Sequence, residues 1–309
     1  MKKFLKYCLL FVLPICLIAI SLEDLVRQIP NLYKYKYEWM LKNADEVETL
    51  VLGNSHTYYG IQPKYFKSKS FNLANPAQLY EQDLFLLKYW SNRCPKLKTV
   101  ILPISYFTFF VQDSGNGKET FRCKNYNIYM DCDLYPSWSF SYNFEIADPR
   151  VVISKLYKYT LGIKGQDRIC DIYGNEAYNT LAYRTSDWDK YDKNTIESTF
   201  NLDYIQKNLH EIEQIISLCK EKNINLIFVT TPCWHTYRSY LNEDQLNKLY
   251  SIIHKLQRKY EISYFDFFQD ERFNAEDFFN SSHLSELGEM KLTKILESEI
   301  NKLENKKNI

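Results

Sequence analysis

The chain has almost no excess of charge of either sign: 39 basic side chains against 38 acidic ones leave a net charge of +1. That balance removes the electrostatic argument for a nucleic-acid partner, whose binding depends on neutralising phosphates with surplus Lys and Arg. Histidine is scarce, at 5. His210, His235 and His254 form no metal-ligand pattern with one another or with acids, and no Cys-x-x-Cys occurs. Neither a metal site nor any other cofactor is therefore expected. Glycine is scarce too, at 8, while Lys, Asn, Ile, Tyr and Phe abound. Such usage is what an AT-rich genome yields, and it lowers the weight of the 26 Tyr as a binding signal.

What is present begins with one long apolar run, Tyr7 to Leu22, preceded by Lys2, Lys3 and Lys6. Positive charge ahead of an apolar stretch keeps the N-terminus in the cytoplasm and sends the following chain across. The expected topology is a single pass in the cytoplasmic membrane, N-terminus inside and main domain outside. The run is short against the ~20 residues of a full span, so a cleaved signal peptide is the alternative. Ile18-Ala19-Ile20-Ser21 offers no small-x-small cleavage site, and bulky Ile15 before Cys16 is a poor lipoprotein signal. These features favour an uncleaved anchor. Six cysteines lie beyond it, and an even count in an exported chain permits disulfides, with Cys123 and Cys132 spaced to close a loop.

With 309 residues, 45 % of them apolar, the chain can build one large α/β domain or two small ones. Residues 1–22 read as the anchor, 23–46 as a charged, Tyr-rich connector, 47–304 as the α/β domain and 305–309 as a tail. Strand-like apolar runs cover Thr49–Leu52, Ser70–Leu73, Thr99–Ile104, Asn225–Thr231 and Ile262–Asp266. Between and after them, helical spacing links Ile205, Leu209, Ile212, Ile216 and Cys219, then Leu246, Leu249, Ile253 and Leu256, and finally Leu292, Ile295, Leu296, Ile300 and Leu303. Ser285 marks the start of the last helix as a plausible N-cap. The alternation implies a three-layer α/β/α sandwich around a parallel five-stranded sheet. Residues 105–201 break it: rich in Tyr, Phe, Trp, Asp and Asn, they read as an insertion serving either as a lid or aromatic platform for sugar rings, or as an irregular subdomain with its own core.

Two short motifs bracket the domain. Val51-Leu52-Gly53-Asn54-Ser55-His56 reads as a buried strand turning through glycine to lift Ser55 above the sheet edge. Phe279-Asn280-Ser281-Ser282-His283-Leu284 places His283 in a loop before the terminal helix. A serine after the first strand and a histidine before the last helix can meet as nucleophile and base if one sheet joins them, because ligands bind beyond the C-terminal strand ends of such sheets. Gly53-Asn54-Ser55 resembles the first block of the SGNH/GDSL hydrolase superfamily, in which serine follows Gly-Asp. Asn280-x-x-His283 resembles its last block, Asp-x-x-His. The resemblance spans residues 46 to 304 and is closest in feel to membrane-anchored members that acylate cell-surface polymers, the alginate O-acetyltransferase-like and D-alanine-transfer-like proteins. It implies an SGNH-hydrolase/flavodoxin-like fold, Ser55 as nucleophile and His283 as base.

The resemblance also marks departures. The superfamily builds its oxyanion hole from the serine N–H, a second-block glycine amide and a third-block asparagine side chain. Here Ala74 and Asn75 occupy the second-block region and Pro103-Ile104-Ser105 stands where Gly-x-Asn is expected. Asn75 and Gln78 are substitute donors by position. His56, beside Ser55, suits substrate contact or packing better than a base role. Asn280 sits in the acid position, where an amide can accept a hydrogen bond from imidazole but cannot offset an imidazolium charge; Asp277 is the nearest carboxylate. The expected function is a membrane-anchored serine esterase or O-acyltransferase acting outside the cytoplasm on acyl groups of a cell-surface glycan through an acyl-Ser55 intermediate, with a membrane acyl-donor protein as a further partner. The alternative is a catalytically degenerate relative that binds glycan or scaffolds an envelope complex.

Overall fold

The protein is described from a computed structural model covering residues 1–111, 120–163, 170–176, 179–190 and 201–307. Parts of the expected insertion 105–201 (112–119, 164–169, 177–178 and 191–200) and of the tail (308–309) lie outside the described residues. The helices in chain order are α1 (Lys2–Gln28), α2 (Leu32–Asn43), α3 (Ser55–Tyr58), α4 (Tyr80–Ser91), α5 (Thr120–Tyr129), α6 (Phe140–Asn143), α7 (Pro149–Thr160), α8 (Ile205–Glu221), α9 (His235–Ser239), α10 (Glu243–Tyr260) and α11 (Glu286–Lys307). The strands are β1 (Thr49–Val51), β2 (Ser70–Asn72), β3 (Thr99–Pro103), β4 (Asn225–Thr230), β5 (Ser263–Asp266), β6 (Phe278–Asn280) and β7 (His283–Leu284). The chain divides into two compact units, Met1–Glu38 with Ser114–Ile169, and Trp39–Asp113 with Cys170–Ile309.

The larger unit is an α/β fold in which β1 to β5 form one parallel sheet in the order β2-β1-β3-β4-β5. All five strands lie where the apolar runs place them, each ending within a residue or so of its expected bounds. This is the flavodoxin-like strand order, and its direction of winding reverses between β1 and β3. Successive residues of a strand face opposite layers. Val51, Ile101, Ile227 and Val229 accordingly share one face with Leu292, Leu296 and Ile300 of α11, all buried in a common core. Leu50, Leu102 and Phe228 point the other way and are equally inaccessible, so both faces are covered. The helical spacing read for α8 holds as well: Ile205, Ile212, Ile216 and Cys219 are buried and Leu209 is half-buried, with Ile215 buried beside them.

Part of the expected insertion belongs to this larger unit. Residues 170–176 cover the exposed side of the edge strand β2, where Asn72 N–H donates to the Tyr173 carbonyl at 2.8 Å. Gly174, at φ +82°, permits that approach; a Cβ there would stand 2.1 Å from the Asn72 carbonyl oxygen.

The smaller unit contains the apolar helix α1, which is 27 residues long. At 1.5 Å per residue it extends about 40 Å, enough by length and composition to cross a membrane, a test that a signal sequence also passes. The buried centre of the smaller unit is Glu145, whose carboxylate pairs with Lys124 at 2.8 Å and Lys155 at 2.9 Å and accepts from the Tyr129 hydroxyl at 2.9 Å. Burial alone would raise this carboxyl's pKa; the two ammonium groups outweigh it and hold the pKa below the ordinary value.

Candidate active site

Ser55 is presented by a turn that only glycine can make. Gly53 sits at φ +106°, and a Cβ there would lie 2.1 Å from Pro103 Cγ and Cδ at the end of β3. The chain therefore bends tightly over the neighbouring strand at the point where the sheet's winding reverses. Asn54 then caps the short helix α3: its Oδ1 accepts from His56 N–H at 3.0 Å, and its Nδ2 donates to Ser105 Oγ at 3.1 Å. Thr57 Oγ1 donates back to the Leu52 carbonyl at 2.7 Å, closing the turn from within.

His283 arrives from the far end of the sequence on an element the sequence does not announce. Residues 278–284 form an antiparallel pair, β6 with β7, in which Asn280 stands opposite His283. His283 Nε2 lies 2.9 Å from Ser55 Oγ, and its Nδ1 lies 3.1 Å from Asn280 Oδ1. The same Oδ1 accepts from the backbone N–H groups of Ser282 at 3.0 Å and His283 at 2.9 Å. Backbone N–H groups only donate, so the atom facing them is the amide oxygen and not the nitrogen. An oxygen at Nδ1 requires the imidazole proton there, leaving the Nε2 lone pair directed at the Ser55 hydroxyl. Asn280 thus selects the tautomer in which His283 can take the serine proton.

His283 is half-buried in the folded chain. Burial, and secondarily the neighbouring His56, push the His283 pKa down to about 3. His56 packs edge-on against the His283 ring at 5.5 Å between centroids, with its Nδ1 3.3 Å from Thr231 Oγ1. It is itself pushed down to about 4 by burial. Tyr59 covers another side of the His283 ring at 4.8 Å.

The remaining residues singled out in the sequence turn their donors into the protein. Ala74 N–H donates to Asn72 Oδ1 at 3.0 Å, and Asn75 N–H to the Gly53 carbonyl at 3.0 Å. The Asn75 amide nitrogen bonds to Gln78 Oε1 at 2.9 Å, while Gln78 Nε2 donates to Asp83 Oδ1 at 2.6 Å. Asp277 is likewise turned away: its carboxylate accepts from Asn274 N–H at 2.8 Å and pairs with Lys291.

Two supports have no signal in the sequence. Asp83, fully buried in the first turn of α4, accepts on Oδ1 from Gly53 N–H at 2.8 Å as well as from Gln78, joining the serine turn to the 75–78 turn. Burial raises its pKa to about 7, against the lowering effect of those two donors. Acids are common in first helical turns, so nothing in the sequence distinguishes this one. Arg184 Nη1 donates to the carbonyls of Ala275 at 2.7 Å and Phe278 at 2.9 Å, and Asn179 bonds the Leu284 carbonyl. Residues 179–184, from the stretch read as insertion, thereby brace the hairpin that carries His283.

Comparison with known proteins adds context to this geometry. A family model described as "Protein of unknown function (DUF1574)" matches residues 175–299, less than half of the chain. No curated protein matches the sequence. Among solved structures, an acylhydrolase assigned as such without proof in Bacteroides fragilis NCTC 9343 is similar at 12 % identity and TM-score 0.41, over 86 % of this chain and 95 % of that one. A GDSL-like lipase of Bacteroides thetaiotaomicron VPI-5482 is similar at 12 % identity and TM-score 0.41, over 89 % of this chain and 98 % of that one. At such values the likeness says nothing about the reaction.

Proposed function

We propose that the chain is a membrane-anchored SGNH-type serine esterase or O-acyltransferase acting outside the cytoplasm on acyl groups of a cell-surface glycan. The observation that carries this reading is the line Ser55 Oγ, His283 Nε2, His283 Nδ1, Asn280 Oδ1, with contacts of 2.9 Å and 3.1 Å and the tautomer fixed. A serine hydroxyl is a poor nucleophile unless a base takes its proton during attack. In the proposed reaction Ser55 Oγ adds to the ester carbonyl while its proton passes to His283 Nε2. Collapse of the tetrahedral intermediate breaks the ester bond, and the imidazolium returns that proton to the leaving alcohol. A sugar hydroxyl or water then attacks the acyl-Ser55, losing its proton to Nε2; collapse breaks the acyl–Oγ bond, and Nε2 returns the proton to Oγ, regenerating Ser55. The Ser55 N–H, at the start of α3, is the donor best placed for the oxyanion. Tethering favours transfer to or from an envelope polymer, because a scavenging esterase gains nothing from an anchor, and a membrane protein is the fitting source of an acyl donor.

Asn280 supports a second reading, a degenerate relative that binds glycan or scaffolds an envelope complex, because an amide leaves the imidazolium uncompensated. A fluorophosphonate probe separates the two: labelling at Ser55, lost in Ser55→Ala, is expected of the enzyme, and silence would favour the binder.

A further inference from the structure

The smaller unit exposes two groups of large apolar side chains that its own packing does not explain. Trp138 is 86 % exposed, more than any other large apolar side chain beyond α1 among the described residues. Phe140 and Phe144 stack on each other, with ring centroids 5.0 Å apart, and are 53 % and 40 % exposed. On α7 and just past its end, Ile153, Tyr157 and Leu161 follow one another at four-residue spacing and are 66 %, 61 % and 57 % exposed. That spacing puts them on one helix face, opposite the buried Val152 side. Soluble surfaces rarely gather such side chains without a partner.

The partner is indicated by where α1 is held. Its large apolar side chains are exposed from Phe4 to Ile20, and the first buried side chains are Glu23 and Val26. Glu23 accepts from the backbone N–H groups of Glu145 at 3.1 Å and Ile146 at 2.9 Å, and Arg27 donates to the Asn143 carbonyl at 2.8 Å. Glu23 lies about 5 Å along the axis from Ile20 at the helical rise. Phe144, beside Glu145, is therefore attached about one turn past Ile20, and the end of α6, which carries Phe140, is held one turn further along, at Arg27. If α1 spans the bilayer, the end of the apolar run is the membrane–water interface, where Trp and Tyr concentrate and aromatic rings sit at the level of the headgroups.

We propose that these two groups, Trp138, Phe140 and Phe144 with Ile153, Tyr157 and Leu161, both seat on the lipid bilayer around the exit of α1, as a collar that fixes the smaller unit against the membrane. The occupant is the headgroup and upper acyl layer of the lipid, and the proposal rests on the membrane-anchored reading of α1 but not on the chemistry at Ser55. Its test uses the full chain in phosphatidylcholine vesicles containing lipid spin-labelled either near the headgroup or deep in the acyl chain. Tryptophan emission of the parent is expected to be quenched more by the shallow label than by the deep one. Trp138→Phe, an exposed and conservative change, is expected to remove more than half of that quenching, and Tyr157→Asp to reduce the quenching of Trp138. Equal quenching in the parent and Trp138→Phe would overturn the proposal, as would failure of the chain to float with the vesicles. Protection of Trp138 from aqueous acrylamide without any quenching by labelled lipid would show that protein covers its group, and would also overturn the proposal.

Discussion

Replacing Asn280 by Asp tests the site at its most unusual member. The new carboxylate would accept the same four hydrogen bonds that Oδ1 now accepts, from the N–H groups of Ser282 and His283, from the Ser282 hydroxyl and from Nδ1. The two backbone donors favour its ionised form. A unit charge about 4 Å from the imidazolium centre is worth about 4 kcal/mol at an effective dielectric of 20, an upper bound because the carboxylate must itself be desolvated. In serine proteases the change from aspartate to asparagine costs about 10⁴-fold in turnover through the wrong tautomer. Here the tautomer is already correct, so only the charge is missing and a smaller gain is expected. We predict that Asn280→Asp raises kcat for an aryl acetate at least about tenfold, equivalent to ~1.4 kcal/mol of barrier. The pH profile should change with it. The base works when neutral, and a pKa near 3 leaves His283 neutral across the ordinary range, so the parent should show no acid limb above about pH 4. A raised pKa should bring an acid limb into view at higher pH in the variant. Unchanged rate and profile in Asn280→Asp, with Ser55→Ala inactive, would refute the assigned geometry.

Ser55→Ala and His283→Ala should each abolish ester cleavage or transfer with little loss of folding, and the double variant should lose hardly more than either, since nucleophile and base act as a unit; fully multiplicative losses in kcat would argue against a shared step. Arg184→Ala should loosen the β6–β7 hairpin, lowering kcat and costing roughly 1–3 kcal/mol in denaturant unfolding through the unpaired carbonyls. Ala77 follows Pro76 in the 75–78 turn at φ +57°, where glycine is preferred, so Ala77→Gly should raise thermal stability by up to about 1 kcal/mol instead of lowering it. Glu289, buried and bonded to Asn175 at 2.6 Å, has its pKa pushed up to about 8 by burial. Because the folded value lies above the unfolded one, its contribution is complete below about pH 4.5 and is lost as pH rises through 8, so Glu289→Gln should flatten the fall of the melting temperature between pH 5 and 8.

The five strands, the main helices and the apolar N-terminal helix were legible in the sequence because each is set by local spacing: runs of buried residues for a two-sided sheet, three- and four-residue periods for its covering helices. Ser55, His283 and Asn280 were legible as motifs, since a glycine turn after a strand and a histidine shortly before a helix leave a trace in a few adjacent positions. What only the tertiary structure decided depends on groups far apart in the chain. The oxygen of Asn280, and with it the histidine tautomer, follows from hairpin backbone donors that a Gly-free, Pro-free stretch does not advertise. Asp83 matters because a strand crossover brings α4 beneath Gly53, and Arg184 because residues 179–184 fold back onto the hairpin. The donors of Asn75 and Gln78 point inward for the same reason: a side chain's hydrogen-bond partner is chosen by whatever the fold sets beside it, and sequence spacing carries no record of that choice.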